Sequence, residues 1–233
     1  MLVSDRLNVM PENNSHVDFD FSLIEPGHFG NSSDQIIIKK NFVEADDLIR
    51  VQELVEDINE WHNPSPDIFN EEGVCIYDAS YWWDRMCSGD ILQRINPFIF
   101  EIVNKYILKI AVAIEDKFGV STYSRPPVLV RWLPGNEQLP HADKQLNDGT
   151  PNPFPTYDLN SIIYWNDDFE GGQIYYPQHD IELEIKAGMG IAHVGDVNYL
   201  HGVKEIKSGI RWTTPSFYTV TGFNQYSLAA FGE

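Results

Sequence analysis

Beyond Gly119 the chain breaks into short apolar and β-branched runs separated by turn residues, and this punctuation constrains the fold more than any other feature. The runs fall at residues 128–132, 159–166, 173–176, 181–185, 190–194, 201–206 and 210–219. Runs of this length bounded by turn signals read as strands rather than helices. So many short strands on one core suggest a sandwich or a jelly roll.

The first half of the chain reads differently. Residues 34–40 hold the β-branched run Ile36, Ile37 and Ile38, which predicts a first strand. From 44 to 61, Leu48, Val51, Val55 and Ile58 recur at helical spacing, with Glu44, Asp46 and Asp47 in the first turn, where the helix dipole favours acids. The prolines of residues 62–67 predict a loop leading to Tyr81, Trp82 and Trp83, which either line a groove or pack between helix and sheet. Asn96 and Pro97 predict the start of a second helix, with Ile99, Val103, Tyr106, Ile110 and Ile114 as its buried stripe and Gly119 as its stop. Helices first and strands afterwards indicate an α+β chain with helices packed outside the strands.

A length of 233 residues suits one domain that needs no disulfides. Residues 1–33 read as an arm rich in Asn, Ser, Asp and Gly, and 34–233 as the domain. The formal net charge of -19 would repel a polyanion over most of the surface, which disfavours nucleic acid as a partner. Cys75 and Cys87 lie outside any Cys-x-x-Cys or Cys/His zinc spacing and read as ordinary thiols in a reducing compartment. Asp5 and Arg6 interrupt any signal core, so the expected location is cytoplasmic. The most apolar run, 106–114, contains Lys109 and falls short of the ~20 apolar residues of a membrane span.

Chemistry concentrates at His141 and Asp143. Two residues apart on an extended strand, an imidazole and a carboxylate point to one face. If His201 folds back beside them, two histidines and one carboxylate bind one side of a divalent metal and leave other positions open. The basic Arg211 follows ten positions after His201. Other features carry less. Gly188, Gly190 and Gly195 do not make a GxGxxG turn, and Asp167, Asp168 and Glu170 lack EF-hand spacing. His179 and His193 read as structural.

Three fragments, RWLPGNEQLPHAD, LNSIIYWNDDFEGGQIYYP and HGVKEIKSGIRW, occur in the order found in one family. The chain resembles the iron(II)- and 2-oxoglutarate-dependent oxygenases of the prolyl 4-hydroxylase type, over about 127–219. The resemblance implies a double-stranded β-helix core, jelly-roll or cupin-like, with the N-terminal helices outside. It implies that His141, Asp143 and His201 bind Fe(II), and that Arg211 pairs with the distal carboxylate of 2-oxoglutarate. Tyr164 falls where the family can supply a phenol to that carboxylate. Thr213 shares a strand face with Arg211 and could add a hydroxyl. Trp132 stands where many relatives have a tyrosine, replacing a phenol by an indole donor. The implied reaction uses O2 and 2-oxoglutarate, with ascorbate as an accessory reductant, and releases succinate and CO2. A prolyl residue in a peptide or protein is the leading substrate. A free amino acid or other small metabolite is the alternative, and a non-catalytic metal-binding jelly-roll module is the rival from another class. The long 144–157 connection is a candidate lid.

Overall fold

The computed structural model describes residues 24–62, 66–150 and 152–223. Most of the expected arm, residues 1–23, therefore lies outside the described residues, as do part of the 62–67 loop and Pro151. The helical half runs β1 (Ile37–Lys39), α1 (Ala45–Val55), the hairpin β2 (Ile68–Phe69) and β3 (Cys75–Tyr77), β4 (Met86–Ser88), α2 (Gly89–Ile95) and α3 (Pro97–Phe118). The strand half runs β5 (Val120–Ser124), β6 (Val128–Trp132), β7 (Gln138–His141), β8 (Leu159–Tyr164), β9 (Glu170–Gly171) and β10 (Ile174–Tyr176). It continues through β11 (Ile181–Leu183), β12 (Gly190–Val194), β13 (His201–Val203), β14 (Ile206–Ser208) and β15 (Arg211–Phe223).

The strands build two principal sheets. A seven-stranded major sheet has the order β1-β12-β8-β15-β6-β4, with β5 also paired to β15, and a four-stranded minor sheet has the order β11-β10-β13-β7. This is the expected jelly roll in an α+β chain. β15 is the spine of the major sheet: one edge pairs with β8 over Thr213–Tyr218, while the other pairs with β6 up to Thr213 and with β5 from Tyr218. Pro215 sits inside this central strand although proline removes a ladder donor. The Phe217 carbonyl accepts from the Arg125 N–H on the β5/β6 side, and Pro215, two residues away, presents its nitrogen to that same side. Its missing N–H thus falls in the gap between β6 and β5, where no ladder partner exists.

The outer face of the major sheet is covered by α3. Asn96 caps this helix by accepting from the Ile99 N–H, Pro97 stands at its first position, and Gly119 ends it at φ 63°, in the left-handed region. The predicted stripe of Ile99, Val103, Tyr106, Ile110 and Ile114 is fully buried. Tyr218 of β15 donates to the Ile107 carbonyl at 3.2 Å, tying sheet to helix. Residues of β8 alternate accordingly: Leu159, Ser161 and Ile163 share the face that carries Tyr218's bond to Ser161, and Asn160, Ile162 and Tyr164 face the minor sheet.

Several boundaries differ from expectation. α1 stops at Val55, short of Trp61, because Ile58 and Trp61 join the core through a turn in which the Trp61 indole donates to the Ile58 carbonyl. The run 201–206 divides into β13 and β14, since the two halves pair with different strands, β7 and β9. α2, β4 and β5 have no counterpart in the sequence reading; they are short or amphipathic only in the context of their neighbours. No helix among the described residues is long and apolar enough to cross a membrane.

The α3 stripe carries the contact between helix and sheet, so truncating it should leave a cavity. Ile110→Ala is expected to lower stability by about 2–5 kcal/mol in denaturant unfolding. A loss below about 1 kcal/mol would show that the site collapses around the gap or that α3 bears less of the core than its burial indicates.

Candidate metal centre

The centre lies between the two sheets, where β13 pairs antiparallel with β7 and sets His201 directly opposite His141. Their ring centroids are 4.5 Å apart. Asp143 completes the group: its Oδ1 lies 3.7 Å from His141 Nε2 and its Oδ2 lies 3.5 Å from His201 Nε2. The ligand atoms of His141, Asp143 and His201 all fall within 4.8 Å of one another, close enough for one ion. Among the described residues this is the cluster with a metal-binding arrangement.

Asp143 reaches the cluster by a route other than the expected one. β7 ends at His141 and Asp143 lies in a bend, so same-face alternation is not what aims the carboxylate. The bend is held from the major sheet. The N–H groups of Asp143 and Lys144 both donate to the Gly195 carbonyl, at 3.0 and 3.1 Å, and the Gly195 N–H donates to the Asp158 carbonyl. A Cβ at Gly195 would stand 2.0 Å from the Tyr157 carbonyl oxygen, so no larger residue permits this approach. Lys144, buried beside Asp143, pairs with Asp158 at 2.7 Å and donates to the Ile24 carbonyl. Removing one partner of such a buried pair typically costs about 3–5 kcal/mol, because the other charge is left uncompensated.

Outer hydrogen bonds set the tautomers that a metal needs. His141 Nδ1 lies 3.0 Å from the Leu139 carbonyl and His201 Nδ1 lies 3.3 Å from the Tyr199 carbonyl. A carbonyl can only accept, so each Nδ1 carries the proton and each Nε2 turns a lone pair toward the centre. Asn160 donates to Asp143 Oδ2 at 2.6 Å, fixing one carboxylate oxygen. Burial, reinforced by the neighbouring His141, pushes His201 well below the ordinary histidine range. For His141 burial acts downward, but the Asp143 carboxylate overrides it and the net direction is upward. A divalent ion would displace the proton held there.

The remaining predicted residues line the same inter-sheet space. Arg211 is 1% exposed, and its guanidinium lies between the rings of Trp132 and Tyr164, 5.0 Å from each centroid. Arg211 Nη2 donates to the Tyr164 hydroxyl at 3.4 Å, while Nε and Nη1 are buried and find no partner among the described residues. The Trp132 indole donates to Thr213 Oγ1 at 3.2 Å. Its donor is thereby used, and Trp132 meets Arg211 with its ring face, as a cation–π support. Behind it Trp82 packs edge-on at 5.6 Å. Of the aromatic cluster, Trp82 is thus packing material, Tyr81 donates to the Glu137 carbonyl, and Trp83 stays exposed against His62.

His179 bonds the Asn198 carbonyl and stacks on Tyr199, a structural role as expected. His193 is different: its ring lies 4.3 Å from that of His201, and its Nε2 is buried without a partner. Asn160 and the Lys144–Asp158 pair escaped the sequence reading. Asn160 could have been found, since it shares a strand face with Tyr164 at a spacing of four; the ion pair could not, because only the fold brings it together.

Comparison with solved structures follows from this geometry. A prolyl hydroxylase from Trichoplax adhaerens, in complex with a hypoxia inducible factor oxygen degradation domain peptide fragment, superposes with a TM-score of 0.56 at 15% identity, covering 86% of this chain and 89% of that one. The viral collagen prolyl hydroxylase of Paramecium bursaria Chlorella virus-1, as its 2-oxoglutarate complex, gives 0.51 at 13% identity over 79% of this chain and 95% of that one. A Pseudomonas putida prolyl-4-hydroxylase gives 0.52 at 15% identity over 79% and 92%. The chain has the prolyl hydroxylase fold. No protein-family model and no curated protein sequence matches it. Within this fold the His141, Asp143 and His201 cluster fits the iron-binding triad of the 2-oxoglutarate oxygenases.

Because Asn160 orients the carboxylate, Asn160→Ala is expected to weaken divalent metal binding by roughly 10–100-fold. Mn(II) titration followed by electron paramagnetic resonance reads this directly, with Asp143→Ala abolishing the tight site. Unchanged affinity in both variants would place the metal elsewhere.

Proposed function

We propose that the protein is an Fe(II)- and 2-oxoglutarate-dependent dioxygenase that hydroxylates a prolyl residue in a peptide or protein, releasing succinate and CO2. The observation that carries this reading is Arg211. A guanidinium sealed from water with two unsatisfied donors is costly in a protein that binds nothing there. Its planar fork suits a carboxylate held through two hydrogen bonds. It lies in the same chamber as two histidines and one aspartate, which leave a metal with open positions. A metal alone would explain the triad but not the arginine, and this separates the oxygenase from a metal-binding module.

When bound, Fe(II) and 2-oxoglutarate supply the oxidising chemistry. The chain's residues do the rest. His141, Asp143 and His201 hold the ion on one side. Arg211, braced by Trp132 and Tyr164, would hold the far carboxylate of the co-substrate. The apolar wall of Val130, Trp132, Val203 and Ile206 keeps that chamber dry.

Support for an extended substrate comes from the rim. An aromatic row runs from Tyr77 of β3 through Phe154 and Tyr157 to Phe217 of β15, with successive centroids 5.2, 5.0 and 4.3 Å apart. Leu139 on β7 and Trp83 are further exposed apolar side chains. A row of this kind offers several places for a chain of residues to rest, as aromatic-lined grooves do for proline-rich segments. The solved relative from Trichoplax adhaerens, with its peptide, is consistent with that use of the fold.

Under anaerobic conditions, Fe(II) plus 2-oxoglutarate is expected to produce a visible charge-transfer band. Arg211→Ala should weaken 2-oxoglutarate by about 2–5 kcal/mol, as loss of one partner of a buried charge pair does. Succinate release should be stimulated by proline-containing peptides and not by free amino acids or methylated oligonucleotides. Absence of the band would refute the oxygenase reading, and stimulation by free amino acids alone would refute the peptide substrate.

A further inference from the structure

Tyr176 is fully buried on β10 of the minor sheet, and its hydroxyl has no partner among the described residues. β10 pairs with β13, the strand that carries His201, and the Tyr176 ring lies 5.9 Å from the His201 ring. From the opposite sheet His193 faces it at 5.4 Å between centroids. Asn160, the cross-strand partner of His193, shares that face and leaves its Oδ1 buried and unpaired. Tyr176 therefore looks into the space bounded by the metal ligands at one end and by Arg211 with Tyr164 at the other.

The polar atoms around this space are not equivalent. His193 Nδ1 lies 3.0 Å from the Val194 carbonyl, which can only accept, so Nδ1 carries the proton of the neutral ring. Its Nε2 then offers only a lone pair. Asn160 Oδ1 also only accepts. Tyr164 already accepts from Arg211, and the Trp132 indole is committed to Thr213. Tyr176 is thus the chamber's neutral side chain whose hydroxyl neither donates nor accepts a hydrogen bond among the described residues. Burial raises that hydroxyl well above the ordinary tyrosine range, with Tyr164 and then Asp143 adding to the effect, so the proton stays on oxygen at neutral pH.

We infer that the Tyr176 hydroxyl is a positioning donor, giving a hydrogen bond to a carboxylate oxygen of the bound 2-oxoglutarate from the minor-sheet side, opposite Arg211. The inference rests on the oxygenase reading and adds to it a residue that acts on the co-substrate from the second sheet. With Arg211 pulling from one sheet and Tyr176 from the other, the dicarboxylate is held across the gap rather than against one wall.

Tyr176→Phe removes the hydroxyl and keeps the ring. The test is isothermal titration of the Mn(II)-loaded full chain with 2-oxoglutarate, together with Mn(II) affinity and the thermal midpoint of the metal-free protein. Loss of one hydrogen bond to a charged group predicts roughly tenfold or greater weakening of 2-oxoglutarate. Mn(II) affinity should hold. The metal-free midpoint should hold or rise, because the hydroxyl has no protein partner to lose and leaves the interior. A structural tyrosine would show the reverse pattern, a lowered midpoint with unchanged 2-oxoglutarate affinity, and this overturns the inference. Equal 2-oxoglutarate affinity in variant and wild type with an unchanged midpoint also overturns it while leaving the oxygenase reading standing. If the wild-type protein with Mn(II) fails to bind 2-oxoglutarate at all, both fall together.

Discussion

The pairing of β13 with β7 places two imidazoles opposite each other at the mouth of a closed sandwich, and the rest of the site is arranged to make that juxtaposition useful. Two histidines 4.5 Å apart between sheets gain nothing by themselves. The carbonyls of Leu139 and Tyr199 take their Nδ1 protons outward, and Asp143 is brought in from the bend after β7. That bend is anchored to the major sheet through Gly195 and through the Lys144–Asp158 pair, whose second carboxylate oxygen accepts from the Val220 N–H of β15. Register in the minor sheet and anchoring on the major sheet thus fix one three-ligand cluster.

The same dependence on both sheets explains the polar residues left unsatisfied between them. Interiors pair nearly all their buried donors and acceptors, yet among the described residues five of the nine orphaned side-chain atoms, on Arg211, Tyr176, His193 and Asn160, fall in one space. Their chemistry is uneven: one cation with a fork, one neutral donor and two acceptors. Such a set matches a ligand with anionic ends better than it matches a core that failed to pack. The aromatic faces of Trp132 and Tyr164 stabilise the guanidinium.

Much of this was legible in the residues. Local signals carried the helices: Asn96, Pro97 and Gly119 bound α3, and its apolar stripe is the one found buried. The strand runs after Gly119 were visible from turn punctuation, and the ligand triad from the spacing of His141 and Asp143 with a later histidine. What escaped was non-local. Pro215 is tolerated in a central strand because its missing N–H falls in the gap between β5 and β6, which only the assembled sheet creates. The 144–157 connection looked like a lid, yet its first residues, Lys144 and Gln145, are buried and tie the metal-ligand bend to the sheet. The resemblance points the Trp132 donor toward the co-substrate, but Thr213, 81 residues away in the chain, takes that donor. Strand alternation predicts the direction of Asp143, whereas that direction comes from Gly195 across the sandwich.

The account stands or falls on whether one chamber holds both a metal and a dicarboxylate. The most direct measurement is a crystal structure of the protein grown without oxygen with Mn(II) and 2-oxoglutarate. The account predicts Mn(II) on His141 Nε2, Asp143 and His201 Nε2, with the co-substrate spanning from the ion to the Arg211 guanidinium. A metal bound by other residues, or 2-oxoglutarate bound away from Arg211, would contradict it.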